Sequence, residues 1–183
     1  MRRAFLAGLA ATAGLAAFTP RWPASAATLP SGFAFRGISG TELSLDAWRG
    51  RPVLVTNTAS LCGFTRQYDD LQRLHERFAS RGLVVLAVPS NDFRQELASD
   101  EEVAEFCEVN FGLTFPIAGI TPVRGAGAHP FYRWMAEAHG FVPAWNFNKV
   151  LIGPEGEVRG TWGSGTRPTS RDIVRAVEAA LRG

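Results

Sequence analysis

The sequence is poor in the residues from which dithiol and metal sites are built. It has two cysteines, Cys62 and Cys107, and three isolated histidines, His75, His129 and His139. The cysteines do not form a Cys-x-x-Cys pair, which argues against a thioredoxin-type dithiol exchanger, and no Cys/His spacing is typical of zinc. We therefore expect no metal site and no bound cofactor.

The sequence also lacks an excess of one charge and a long apolar run. Its net charge is +2 with scattered basic residues, so no basic patch for nucleic acid is predicted. The apolar run at residues 4–18 has 15 residues, fewer than the roughly 20 that cross a bilayer as a helix. With 183 residues, 46% of them hydrophobic, the chain can form one sizeable core.

Residues 1–27 have the three-part pattern of an export signal. Arg2 and Arg3 precede the apolar run, and prolines and a small-residue triplet at 24–26 follow it. The N-terminal Arg-Arg-Ala-Phe-Leu also resembles the twin-arginine motif of bacterial proteins that are exported folded. No cysteine lies directly after the run to carry a lipid, so we expect a periplasmic or secreted protein without a stable membrane anchor.

The remaining residues, 28–183, are predicted to form one α/β domain. An N-terminal β-hairpin is followed by the order β-α-β-α, a further helix, and then β-β-α. Helix caps are predicted at Ser99, with Glu102, and at Thr169, with Asp172. Right-handed crossovers with helices on both faces fit a thioredoxin-like fold with a central mixed sheet. The predicted strands are 33–36, 41–45, 53–58, 83–88, 147–152 and 157–162, and the predicted helices begin near 68, 100, 130 and 170.

Cys62 lies in residues 57–68, where a buried strand gives way to an amphipathic helix. Unpaired N–H groups at a helix start favour a thiolate, the form that attacks electrophiles. Ligands bind at the carboxyl ends of strands in such sheets, and Cys62 and the loop at 90–95 both follow strand ends. A lone cysteine can equally be a small buried core residue. Position alone leaves both interpretations open.

Four ordered motifs together resemble the glutathione peroxidase family in its cysteine-containing form. The likeness covers most of the chain, from about Leu29 to Leu181. It implies a peroxidase of thioredoxin-like fold whose active site is a tetrad of cysteine, glutamine, tryptophan and asparagine. Matched by motif, the tetrad falls on Cys62, Gln95, Trp145 and Asn146. The motifs are NTASLCGFT (57–65), PSNDFRQE (89–96), FC through FP (106–116) and WNFNK (145–149).

The tetrad has the chemistry that peroxide reduction needs. A thiolate displaces hydroxide or alkoxide from the O–O bond and becomes a sulfenic acid. The amides of Gln95 and Asn146 and the indole N–H of Trp145 are neutral donors that can stabilise the thiolate and the leaving group. Taken singly, each of these residues is more often structural: a loop glutamine is usually solvated, and a tryptophan is often core.

Cys107 resembles the resolving cysteine of the thioredoxin-dependent members of this family. The resemblance implies that oxidised Cys62 condenses with Cys107 to a disulfide, which a thioredoxin-like protein or glutathione then reduces. Because a disulfide requires close Cα atoms, the helix that carries Cys107 would have to unwind or shift. The alternative is that Cys107 is a small buried residue of that helix.

The sequence departs from the usual family pattern in three places. Leu61 stands in place of a lysine, Asp92 in place of a glutamine, and residues 95–98 read Gln-Glu-Leu-Ala instead of Gln-Glu-Pro-Gly in a loop one residue shorter before Gln95. These changes bear on rate and substrate preference, and on the shape of the loop.

The resemblance implies a peroxidase that reduces hydrogen peroxide and organic hydroperoxides. No long insertion precedes Trp145 of the kind that supports tetramers, so we expect a monomer with an exposed site. Two other interpretations use the same residues. One is a non-enzymatic peroxide sensor or redox-binding module based on Cys62 and Cys107, and the other is an inert module with a structural disulfide.

Overall fold

A four-stranded mixed sheet forms the centre of the computed structural model, which describes residues 27–182. The predicted export signal, apart from its last residue, lies outside the described residues. The sheet order is β4-β3-β5-β6, and β1 and β2 form a separate N-terminal hairpin. The predicted α/β order and mixed sheet are confirmed. The strands are β1 (Ala34–Arg36), β2 (Glu42–Ser44), β3 (Val53–Thr58), β4 (Val84–Pro89), β5 (Lys149–Ile152) and β6 (Val158–Trp162), and the helices are α1 (Gln67–Phe78), α2 (Asp100–Phe111), α3 (Pro130–His139) and α4 (Arg171–Ala180).

The strand register brings the predicted motifs to one edge of the sheet. β3 and β4 are parallel, and Thr58 at the end of β3 pairs with Pro89 at the end of β4. β5 runs antiparallel to β3, with Lys149 at its start opposite Thr56. The segments that follow β3 and β4 and the segment that precedes β5 therefore meet. Cys62, the loop of Gln95 and the Trp145–Asn146 pair belong to these three segments.

The sheet separates two hydrophobic cores. Every residue of β3 and β4 is buried, as expected for strands covered on both faces. One core contains Cys62 and side chains of α1, α2 and α4, including Tyr68 and Cys107. The other contains α3 and the N-terminal hairpin, with Phe35 and Phe131 at its centre. No helix within residues 27–182 is long and apolar enough to cross a membrane.

One of the two predicted helix caps is correct. The Ser99 hydroxyl accepts the N–H of Glu102 at 3.2 Å, and α2 begins after it as predicted. At α4 the prediction was wrong by one residue, because Ser170 is the cap and its Oγ accepts the N–H of Ile173. The hydroxyl of Thr169 instead donates to the buried carboxylate of Asp70 at 3.2 Å.

Candidate active site

Cys62 is buried in a tight turn that precedes α1. Only 8% of the residue is exposed. The Thr65 hydroxyl accepts the Cys62 N–H at 3.0 Å and lies 2.9 Å from the Ala59 carbonyl, which fixes the turn. The N–H of Phe64 points at the Cys62 sulfur at 3.4 Å. Since α1 begins only at Gln67, this donor belongs to the turn, not to the helix start that the sequence predicted.

The shortened loop after β4 brings Gln95 to the same edge. Its backbone carbonyl accepts the N–H of Leu61, the residue before Cys62, at 2.9 Å. Its side-chain Oε1 accepts Asn146 Nδ2–H at 3.0 Å. Arg94 has a φ of +56°, a left-handed conformation that turns the chain sharply just before Gln95. The loop thus reaches both partners despite its missing residue.

The segment before β5 is held in an unusual backbone conformation. Phe147 is fully buried and has a φ of +61°, which costs about 1–3 kcal/mol for a bulky residue. Asn57 of β3 compensates, because its carbonyl accepts the Phe147 N–H at 2.5 Å and its side chain accepts the Asn148 N–H at 3.0 Å. The same side chain donates to the Trp145 carbonyl at 3.0 Å.

Trp145 and Asn146 have very different environments within this segment. Asn146 is fully buried, whereas Trp145 is 40% exposed and packs on Phe93 with ring centroids 5.1 Å apart. Trp145 is therefore not a core residue. Leu61 and Phe64 are also exposed, so exposed apolar side chains lie close to Cys62 in the chain.

The structure thus gathers the four predicted tetrad residues at one edge. Gln95 and Asn146 touch directly, and hydrogen bonds of neighbouring residues tie Cys62 and Trp145 to them. Sequence reasoning missed Asn57, Thr65 and Glu96, whose side chains hold the three segments. The signal for Asn57 was an amide side chain within a buried strand, and Glu96 is a carboxylate directly beside a candidate site residue.

Cys107 lies on the buried face of α2. It is 1% exposed and belongs to the same core as Cys62 and Tyr68. Burial raises the pKa of the Cys107 thiol to about 11, an effect that the Tyr68 hydroxyl partly offsets and the Glu96 carboxylate reinforces. Both cysteines are free thiols in this structure.

We expect Cys107 to resist alkylation in the folded, reduced protein. With a pKa of about 11, only about 0.1% of the thiol is ionised at pH 8. In a Cys62→Ser variant, iodoacetamide should label Cys107 about a hundredfold more slowly in buffer than in urea. The native rate should rise about tenfold per pH unit towards pH 11. Equal rates in buffer and urea would contradict the described burial.

A family model described as glutathione peroxidase matches residues 32–136 of this chain. The chain belongs to the glutathione peroxidase family. Glutathione peroxidase-like peroxiredoxin 2 of Saccharomyces cerevisiae is 40% identical over 73% of this chain and 86% of its own length. Hydroperoxy fatty acid reductase gpx1 of Synechocystis is 36% identical over 82% of this chain and 94% of its own.

Solved structures agree with this family and confirm the thioredoxin-like fold. A structure described as Trgpx in apo form has a TM-score of 0.65 and 33% identity, over 82% of this chain and 94% of its own. A thioredoxin-family thiol:disulfide interchange protein of Chlorobium tepidum has a TM-score of 0.64 over 86% of this chain and 99% of its own. At 20% identity it shows the fold alone. As a glutathione peroxidase family member, the chain is a peroxidase, an oxidoreductase with peroxide as acceptor.

Proposed function

We propose that this peroxidase uses Cys62 as its nucleophile, with Gln95, Trp145 and Asn146 as neutral hydrogen-bond donors. The observation that carries this assignment is the 3.0 Å bond between Gln95 and Asn146 at the edge that holds Cys62. Because Gln95 uses its oxygen in this bond, its amide N–H groups remain as donors. The Cys62 thiolate attacks one peroxide oxygen, the O–O bond breaks, and the other oxygen leaves as water or an alcohol after taking a proton.

In the second step, the Cys107 thiol attacks the sulfenic acid of Cys62. The S–S bond forms, the S–O bond breaks, and water leaves. The packing of α2 supports this step, since only Val103 and Cys107 of its residues are fully buried, while Phe106 and Phe111 are partly buried against the same core. A helix with so little buried surface can shift or open at modest cost, as the geometry of a disulfide requires.

The surface beside Cys62 favours organic hydroperoxides in addition to hydrogen peroxide. Leu61, Phe64 and Trp145 expose 61%, 37% and 40% of their surface, and an apolar substituent can pack on them. Leu61 makes this surface more apolar than usual for the family, because the lysine usual at this position would place a charge on it. A relative named hydroperoxy fatty acid reductase is consistent with such a substrate.

The reductant is proposed to be a thioredoxin-like protein, with glutathione as the second candidate. A monomer leaves the apolar surface around Cys62 open to a protein partner. The export-signal pattern at the N-terminus supports a location outside the cytoplasm, in the periplasm or secreted. The reductant must then be a dithiol protein or thiol that operates in that compartment.

A peroxide sensor that uses the same cysteine pair is the second candidate function. Mass spectrometry before and after one equivalent of peroxide, together with peroxide consumption in the presence of thioredoxin, its reductase and NADPH, separates the two. The enzyme should lose two hydrogens, regain them with thioredoxin, and consume many equivalents of peroxide. A single oxidation without turnover, with either thioredoxin or glutathione, would favour the sensor.

A further inference from the structure

The connection between β6 and α4, residues 163–170, contacts two segments of the peroxidase site. Ser164 of this connection binds the segment before β5, because its Oγ donates to the Asn146 carbonyl at 2.6 Å and accepts Asn148 Nδ2–H at 3.0 Å. Its backbone carbonyl accepts Nε2–H of Gln67, the first residue of α1, at 2.6 Å. Ser164 therefore joins the start of α1 to the segment before β5.

A buried lysine fixes the orientation of the Gln67 amide. Lys149 is fully buried, and none of the ion pairs within residues 27–182 includes it. Its Nζ donates to Gln67 Oε1 at 2.5 Å and to the Thr166 carbonyl at 2.5 Å. Because a lysine ammonium can only donate, Gln67 directs its oxygen to Lys149 and its amide N–H to Ser164. Rotation of this amide would place two donors against each other.

The backbone of Gln67 connects this contact to the turn of Cys62. The Gln67 N–H donates to the Phe64 carbonyl at 2.8 Å, and the Phe64 N–H points at the Cys62 sulfur at 3.4 Å. Gln67 is itself buried, so its position is set by its hydrogen bonds and its packing. A shift of Gln67 would therefore move the N–H that faces the sulfur.

The opposite side of the same turn is bound to the loop of Gln95. Oε1 of Glu96 accepts the N–H of Ser60 at 3.0 Å. The Gln95 carbonyl accepts the N–H of Leu61 at 2.9 Å, and the Gln95 side chain accepts Asn146 Nδ2–H at 3.0 Å. The turn, the loop and the segment before β5 are thus joined to one another in a closed ring of hydrogen bonds.

We propose that Ser164 is a positioning residue of the peroxidase site, which sets the position of Asn146 and its partner amide relative to Cys62. The role rests on the proposed function of Cys62 and its amide donors. Ser164 completes the ring, since it binds Asn146 through its hydroxyl and the turn through Gln67. Without the hydroxyl, the Asn146 backbone loses this partner and the amide pair moves relative to the peroxide. A displacement of about 1 Å at a reacting centre can slow the reaction about a hundredfold.

The test introduces Ser164→Ala into the full-length Cys107→Ser protein, in which Cys62 is the one remaining thiol. Each protein is mixed rapidly with hydrogen peroxide, and the unreacted Cys62 thiol is quantified by acid quenching and mass spectrometry. In Ser164→Ala the second-order rate constant for this oxidation should fall at least about tenfold. Ser164→Thr keeps the hydroxyl and should recover the rate of the Cys107→Ser parent to within about threefold.

Alkylation by iodoacetamide separates positioning of the amide pair from a general loosening of the site. Iodide leaves without the hydrogen bonds that a departing hydroxide or alkoxide needs. Alkylation of Cys62 in Ser164→Ala should therefore stay within about threefold of the parent rate while oxidation slows. Local unfolding alone would change the two rates in the same direction.

Ser170→Ala is the matched control, because it removes a hydroxyl from the same connection. The Ser170 hydroxyl caps α4 by accepting the Ile173 N–H. Both Ser170→Ala and Ser164→Ala should lower the melting temperature by a few degrees. Only Ser164→Ala should slow the oxidation of Cys62, and Ser170→Ala should keep the parent rate.

A parent-like oxidation rate in folded Ser164→Ala would overturn the positioning role, as would a parallel change in both rates or an equal loss in Ser164→Thr. If peroxide does not oxidise Cys62 even in the parent, the proposed nucleophile fails instead. The side-chain amide NMR signals of Asn146, identified with Asn146→Asp, then still test the position. They should shift in Ser164→Ala and not in Ser170→Ala, and unshifted signals in Ser164→Ala would overturn the role.

Discussion

Cys62→Ser is expected to abolish peroxide turnover, lowering the rate by roughly a thousandfold or more. A serine hydroxyl stays protonated at neutral pH and is a weak nucleophile toward oxygen, whereas a thiolate attacks the O–O bond readily. The Phe64 N–H, 3.4 Å from the sulfur, and the Gln95–Asn146 pair would remain in place. They would then have no reacting charge to stabilise. Peroxide consumption with thioredoxin, its reductase and NADPH measures the loss.

The fold itself should tolerate this substitution. Serine is smaller than cysteine, and the hydrogen bonds of the turn run through the Cys62 backbone and Thr65. The circular dichroism spectrum should therefore match the wild type, and the melting temperature should change by only a few degrees. Retained turnover in a protein that melts normally would remove Cys62 as the nucleophile.

Cys107→Ser should separate oxidation of the enzyme from its recycling. Cys62 lies in the turn before α1, so its first oxidation by peroxide should proceed at the wild-type rate. The sulfenic acid would then have no intramolecular thiol to attack it, and thioredoxin-driven turnover should fall at least about a hundredfold. The sulfenic acid, trapped with dimedone, should accumulate in this variant and be scarce in the wild type.

The reductant decides how the Cys107→Ser result is understood. Excess glutathione can attack the sulfenic acid directly. If glutathione reduces this enzyme, turnover with glutathione should therefore persist in the variant. Val103→Ser offers a control, since it disturbs the other buried residue of α2 without removing a thiol. Full thioredoxin-driven turnover in Cys107→Ser would show that the resolving assignment is wrong.

The elements could be predicted from the sequence because each has a strong local signal. The short apolar runs at 53–58 and 83–88 predicted β3 and β4, and Ser99 with Glu102 marked the start of α2. The prediction of Thr169 as the cap of α4 was wrong because the Thr169 hydroxyl donates to Asp70, a residue 99 positions away in the chain. Such a competing partner leaves no trace in the local pattern.

The motifs predicted the residues of the candidate site, but they did not predict the hydrogen bonds that support it. A motif indicates which residue types occur together, so Gln95 and Asn146 could be named in advance. The hydrogen bonds of Asn57 and Glu96 depend on strand register and loop path, which the sequence does not specify. The reach of the shortened loop likewise depends on the left-handed backbone at Arg94, a conformation that most residues rarely adopt.

The left-handed turn at Phe147 determines how much of the chain must be synthesised before the enzyme can become active. The turn depends on hydrogen bonds to Asn57, and the contact between Asn57 and Asn148 joins residues 91 positions apart. Contacts between residues so distant in the chain form slowly compared with local ones. A nascent chain therefore carries Cys62 long before it can build the amide pair around it. Peroxidase activity should report completed folding, because no fragment that ends before β5 can hold the whole site.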